Sequence, residues 1–127
     1  LIERVNARAM EPLDPPVDLL VMDVSFISAA TVLPAVARSV APGGDLLVLV
    51  KPQFEAGREQ VEKGGVVRDP VVHATCIGHV ALAAIDLGLR VCGVIRSPLL
   101  GPAGNREFFL WLRVPASGLP APAEAPA

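Results

Sequence analysis

The sequence predicts an α/β fold, a parallel sheet with helical crossovers and an antiparallel last strand. Three observations carry that expectation. Short apolar runs alternate along the chain with stretches whose apolar residues recur at helical spacing. The runs are continuous rather than alternating, as in strands buried on both faces of a parallel sheet. The last two runs have no helix between them: residues Arg96 to Glu107 form a loop with two prolines and two glycines, able to close them as antiparallel neighbours.

Taken in order, Leu1-Ile2-Glu3-Arg4 reads as the end of a strand already in progress, so the chain is expected to begin inside a larger protein. Val17 to Met22 is apolar apart from Asp18 and reads as a buried strand ending at Asp23. A helix follows, capped by Ser28 or Thr31 and running to about Val40. With Thr31 as the cap, Pro34 falls in the first turn, where its missing N–H costs nothing. Ala41-Pro42-Gly43-Gly44-Asp45 reads as a turn, and Leu46 to Val50 as a second buried strand ending at Lys51-Pro52. Residues 53 to 68 mix glycine and charged side chains without period and are expected to be a loop.

Asp69-Pro70 is a cap followed by proline at the first helical position. The helix it opens carries Val72, Cys76, His79, Val80, Ala83 and Leu87 at helical spacing and stops at Gly88. Leu89 to Ile95 is a third strand, and Phe108 to Leu112 a fourth, with Glu107 at its entrance. From Pro115 the sequence is rich in proline and alanine without period, so 115–127 is expected to be a disordered tail.

Composition narrows the function classes. The chain has 127 residues, 52% of them hydrophobic, with a mean hydropathy of +0.52; this excludes a disordered or low-complexity chain. No apolar window approaches the length of a membrane span. The net charge of −2, from 11 basic and 13 acidic side chains, argues against a domain that grips nucleic acid unaided. Cys76 and Cys92 lie in apolar surroundings without zinc-ligand spacing and read as reduced core residues. His73 and His79 are six apart on one helix, on faces about 120° apart, without an acidic partner, so no metal is expected. Phe108, Phe109 and Trp111 read as core rather than as stacking platforms for bases.

In an open α/β sheet, ligands bind at the carboxyl ends of the strands. Asp23 ends one strand and Lys51 the next, and crossover-connected parallel strands point the same way. An antiparallel strand starting at Glu107 brings its amino end to the same edge. Three chemistry-bearing residues from distant parts of the chain are therefore expected to converge. A lysine positioned by carboxylates and removed from water is a candidate general base, as activation of an alcohol for attack on an electrophilic methyl group requires. The competing account is structural: acids at strand ends often cap turns, and Lys–Glu pairs are usually solvated.

A parallel sheet with an antiparallel last strand is the outline of the class I, S-adenosylmethionine-dependent methyltransferase fold, a Rossmann-like sheet. Four stretches sharpen the resemblance: Asp23-Val24-Ser25-Phe26-Ile27-Ser28, Leu49-Val50-Lys51-Pro52-Gln53-Phe54-Glu55, Gly64-Gly65-Val66-Val67-Arg68-Asp69, and Ser97 through Phe109 with its Gly101-Pro102-Ala103-Gly104-Asn105 turn. Together they resemble the TlyA, or hemolysin A, family of ribosomal RNA methyltransferases, which carry an FtsJ-like domain. Glu3-Arg4-Val5-Asn6-Ala7-Arg8 is similar to the segment which that family places after its third strand.

The resemblance covers nearly all of residues 1–114 and implies an RNA ribose 2′-O-methyltransferase using S-adenosylmethionine, cytoplasmic, acting on ribosomal RNA or ribosomal subunits without metal or membrane. FtsJ-like enzymes use a Lys–Asp–Lys–Glu tetrad. By motif, Asp23 is the tetrad aspartate, Lys51 the second lysine and Glu107 the glutamate. Lys51 would assist deprotonation of the 2′-hydroxyl, with Glu107 fixing the lysine. Asp23 would orient it and lie near the methionine end of the cofactor, and Asn6 near the adenine. The sequence departs from the family pattern at its amino-terminal side. Lys51 and Lys63 are its only lysines, so the first tetrad lysine is missing, as are the Gly-rich cofactor loop, the acidic residue that holds the cofactor ribose and the amino-terminal RNA-binding domain. The chain is therefore expected to be the carboxy-terminal part of a methyltransferase domain that by itself neither binds cofactor well nor turns over.

Arg58, Lys63 and Arg68 in the 53–68 loop, with Arg96 and Arg106 near the last turn, are placed to contact RNA phosphates; ordinary solvated loop charges are the alternative. Three other readings remain at this point. They are a non-catalytic RNA-binding relative, a small-molecule methyltransferase on the same fold, and a haemolysin, for which the sequence offers no membrane-active segment.

Overall fold

The computed structural model describes residues 12–24 and 27–120. The strand end read at Leu1–Arg4, Asn6, Ser25, Phe26 and residues 121–127 lie outside the described residues. The elements are β1 (Val17–Met22), α1 (Ala29–Ala37), β2 (Val40–Val50), α2 (Pro52–Glu55), α3 (Pro70–Asp86), β3 (Arg90–Leu100) and β4 (Arg106–Arg113). They build a mixed sheet of order β1-β2-β4-β3. β1 and β2 run parallel, while β4 is antiparallel to both of its neighbours. The expected α/β class and the antiparallel last strand are both present.

The core lies between the sheet and a layer made by α1 and α3. Leu46, Val48 and Val50 of β2 and Leu110 and Leu112 of β4 are fully buried there, against Val32, Leu33 and Val36 of α1 and Cys76, Val80 and Ala84 of α3. Each such aliphatic side chain contributes on the order of 1.5–3 kcal/mol through its removal from water. The other sheet face is more open. Leu19 and Val21 of β1 are more than half exposed, so among the described residues β1 ends the sheet and is covered on one face, not on both. Phe108, Phe109 and Trp111 are half-buried rather than core. Trp111 instead places its indole N–H 2.9 Å from Asp45 Oδ1, with Arg113 over its ring.

Several boundaries differ from the sequence reading, each for a tertiary reason. Ser28, not Thr31, caps α1: its hydroxyl accepts from the Ala30 N–H at 3.2 Å. The helix ends at Ala37 rather than near Val40, because the Ser39 carbonyl accepts from the Val17 N–H at 2.8 Å and Val40 already pairs with Val17. The expected turn at Ala41–Asp45 lies inside β2 as an irregularity, where Leu19 pairs with Asp45 only two residues after Val17 pairs with Val40. Gly43 there adopts a φ of 81°, and its N–H donates to the Val114 carbonyl at 2.9 Å. Only a residue without a Cβ takes that backbone region without strain.

Residues 53–68 are not a featureless loop. They hold α2, a 3₁₀ turn at Arg58–Gln60 and a bridge between Glu62 and Val66. Asp69 caps α3 as expected, accepting from the Val71 N–H at 2.9 Å. β3 extends to Leu100, beyond its expected end at Ile95. Cys76 is buried, but Cys92 is exposed on β3 rather than in the core. Within the expected tail, Leu119 packs against the core, and Pro120 lies where a Cβ on Gly88 would fall.

Candidate active site

The topology brings the ends of three strands to one edge. β1 stops at Met22, so Asp23 stands just beyond its carboxyl end; β2 stops at Val50, so Lys51 does the same. Pro52, which lacks a backbone donor, follows immediately and opens the single turn of α2. On the antiparallel β4, Phe108 pairs with Val50, so Glu107 falls beside Lys51, one residue further along the ladder.

Lys51 Nζ lies 2.5 Å from Asp23 Oδ1. The two members are unequally solvated, the lysine side chain being 11% exposed and the aspartate 58%. The lysine stem is thus covered, while the carboxylate faces outward with Oδ2 unpartnered among the described residues. Phe54 supports the ammonium, with its ring centroid 6.0 Å away. A charge-assisted contact of this length fixes the lysine's position far better than a solvated surface pair does.

Glu107 is buried, at 7% exposure, and its Oε2 accepts from Gln53 Nε2 at 2.8 Å. Gln53 Oε1 is itself buried without a partner among the described residues. Gly101 closes the opposite side: a Cβ there would collide with the Glu107 carboxylate. The turn that presents Glu107 is pinned from below by the buried Asn105. Its Oδ1 accepts from the Val67 N–H and its Nδ2 donates to the Gly65 carbonyl, both at 2.9 Å. His73 Nε2 donates to the Val67 carbonyl at 2.7 Å and completes the brace.

A second link joins the same two strand-end loops. Glu55 accepts from the Ser28 hydroxyl through Oε2 and from the Ala29 N–H through Oε1, each at 2.7 Å. It therefore serves the first turn of α1 as a second, long-range cap. Sequence reasoning singled out neither Gln53 nor Glu55. The available signal was α2 itself: at about 100° per residue, positions 53 and 55 of one helical turn face nearly opposite ways, and they grip Glu107 and Ser28 respectively.

Among the described residues, no group of three or more His, Cys, Asp or Glu side chains is arranged to hold a metal ion. Arg68, Arg96 and Arg106 line one hollow together, while Arg58 and Lys63 are exposed outside it. The structure thus brings Asp23, Lys51 and Glu107 to one edge.

The chain that builds this fold matches the FtsJ-like methyltransferase family model over residues 1–114. The chain belongs to that family. It is 51% identical over 115 residues to the 16S/23S rRNA (cytidine-2′-O)-methyltransferase TlyA of Mycobacterium tuberculosis, an alignment spanning 89% of this chain and 43% of that protein. A solved structure from Lactococcus lactis, described as a hemolysin, superposes with a TM-score of 0.82 at 41% identity, covering 88% of this chain and 55% of the other. A Methanosarcina mazei S-adenosylmethionine-dependent methyltransferase shares the fold at 16% identity and a TM-score of 0.51, over 86% of this chain and 64% of that one. The chain spans less than half the length of the M. tuberculosis relative.

Proposed function

We propose that this chain carries the catalytic edge of an S-adenosylmethionine-dependent methyltransferase that acts on the ribose 2′-hydroxyl of ribosomal RNA. The observation that carries the reading is the Lys51–Asp23 contact, with the lysine covered and Glu107 beside it at the same sheet edge. Similarity to a 16S/23S rRNA (cytidine-2′-O)-methyltransferase supports the substrate class.

S-adenosylmethionine, when bound, supplies an electrophilic methyl group on its sulfonium. Asp23 suits the cofactor's methionine end, because its exposed carboxylate keeps one oxygen for an ammonium while the other holds Lys51. Asn6, the residue proposed near the adenine, lies outside the described residues. Lys51 would assist deprotonation of the 2′-hydroxyl, whose oxygen would take the methyl group from the cofactor sulfonium while the released proton passes to solvent. Asp23 orients the ammonium. Glu107, held by Gln53 and Gly101, keeps a second carboxylate beside the lysine. Positioning of this kind can supply a substantial part of the lowering of a reaction barrier.

In this reading, residues 1–114 are the carboxy-terminal part of an FtsJ-like domain, and the chain without the rest of the cofactor site neither binds S-adenosylmethionine well nor turns over. No described helix is long and apolar enough to cross a membrane. The test is tritiated methyl transfer from S-adenosylmethionine to 16S and 23S ribosomal RNA by the full-length protein and its Lys51→Ala variant. Transfer by the first and loss of at least 100-fold in the second, with cofactor affinity kept, is the expected result. Equal transfer by both makes the lysine structural. No transfer by a folded, cofactor-binding protein favours a non-catalytic RNA-binding relative.

A further inference from the structure

Across β4 from Glu107 lies a hollow of about 460 Å³ that the proposed reaction does not use. Its floor is Phe108, whose ring meets His73 with centroids 5.4 Å apart. Two arginines flank that floor. Arg96 is the β3 partner of Phe108, and Arg106 stands two residues before Phe108 on β4, hence on the same sheet face. Arg68 closes the rim. A second hollow, of about 380 Å³, continues past Arg68, His73 and Arg106 toward the Ala103–Gly104 turn.

No carboxylate lines either hollow. Two acids associated with Arg68 are otherwise engaged: Asp69, next to it in sequence, caps α3, and Glu62 pairs with Arg68 itself at 3.3 Å. Neither the Arg96 nor the Arg106 side chain has an ion pair or hydrogen bond among the described residues. In a chain of net charge −2, Arg96 and Arg106 form a concentrated positive site, with Arg68 beside them paired to Glu62. Its cations are guanidinium groups, whose planar forks match phosphate oxygens in pairs.

We propose that Arg96 and Arg106, with Arg68 at the rim, bind a backbone phosphate of the RNA substrate beside the nucleotide presented to Lys51. This rests on the RNA reading above and adds a contact to it. Strand alternation puts Glu107 and Arg106 on opposite faces of the same sheet edge. A ribose held at Lys51 therefore sends its phosphodiester chain over that edge toward the arginines. The hollow is of a size that holds small ligands, within roughly 300–1,000 Å³.

The test measures the salt dependence of binding to purified 16S and 23S ribosomal RNA by the full-length protein and its Arg96→Gln/Arg106→Gln variant, with methyl transfer measured alongside. Loss of two phosphate contacts to single-stranded RNA makes the log–log slope shallower by about 1.4 and weakens binding about tenfold at 0.15 M salt. S-adenosylmethionine affinity stays unchanged, and methyl transfer shows a raised KM for RNA with kcat at saturating RNA largely kept. Thermal melting monitors folding, and Arg96→Glu alone serves as the second variant should the double substitution unfold; it weakens binding further than Arg96→Gln. An unchanged slope and affinity, with methyl transfer intact, overturns the phosphate site and leaves the proposed reaction standing. A reduced slope in a protein that transfers no methyl group to either RNA keeps the site and removes the reaction.

Discussion

Gly101 and Glu107 share a space that only one side chain can occupy: the Glu107 carboxylate fills the position a Cβ on Gly101 would take. The turn before β4 thus holds the buried glutamate by direct backbone contact, with the Gly101 N–H donating to the Asn105 carbonyl at 2.8 Å to keep the turn closed.

Gly101→Ala in the full-length protein is therefore expected to displace Glu107 and break its bond to Gln53. Overpacking of this kind costs about 1–3 kcal/mol of stability, and methyl transfer falls at least tenfold. Thermal melting and single-turnover transfer measure the two effects. Wild-type transfer by the variant would show that the position of Glu107 does not matter to the reaction.

Glu55→Ala removes both acceptors from the start of α1 and is expected to lower stability by about 1 kcal/mol. Glu55→Gln keeps an acceptor for the Ala29 N–H and a donor for Ser28, so it recovers most of that loss. It forfeits only the favourable charge at the helix start, on the order of 0.5 kcal/mol. Urea denaturation of the three proteins gives the ranking, and equal loss in both variants would mean that the charge, not the hydrogen bonds, holds the loops together.

The two thiols differ in reactivity. Burial, and secondarily the negative charge of Glu55, push the Cys76 thiol above its ordinary range, whereas Cys92 is exposed on β3. At pH 8 one thiol per chain is expected to react quickly with a chromogenic disulfide, and the second only on unfolding. Because the raised group keeps its proton in the fold, its contribution to stability is complete below the ordinary thiol pKa and declines as pH rises past it. Two fast thiols in the native protein would contradict the burial of Cys76.

Trp111 is the chain's single tryptophan and reports on Asp45. The indole N–H bond chiefly, then Arg113, holds the Asp45 carboxyl below its usual range. The sign follows: the interaction is intact above the ordinary aspartate pKa and is lost as pH falls through the lowered one. Acid titration of Trp111 fluorescence is expected to show its transition below the usual aspartate midpoint, and Asp45→Asn removes that transition. A transition at the ordinary value would place the carboxylate away from the indole.

Much of this architecture was legible because it rests on local signals. Asp69-Pro70 announces α3 through cap chemistry, and the apolar run Leu46–Val50 announces the buried half of β2. Asp23, Lys51 and Glu107 were findable because strand ends and strand direction determine which side chains meet. What escaped depended on partners far away in sequence. Pro42 and Gly43 look like a turn until Val114, 71 residues beyond Gly43 in numbering, supplies the hydrogen bond that keeps them in the sheet. Glu55 looks like a loop charge until Ser28 and Ala29, 27 and 26 residues earlier, turn toward it. Cys92, Leu19 and Val21 are apolar by composition, yet composition does not say which sheet face or edge is covered.

The order β1-β2-β4-β3 also governs how this chain can assemble while it is being made. Synthesis proceeds from the amino end, so β2 and β3 both emerge before the strand that joins them. Until residues 106–113 are available, β2 and β3 each present an unpaired edge, and no ladder connects them. The central strand is the last to arrive, and closing its pairing with β2 brings together residues as far apart as Asp45 and Arg113. Such long-range closure is slow relative to local folding. A nascent chain paused before Arg106 therefore exposes two strand edges capable of intermolecular pairing, and the eight residues of β4 remove both at once.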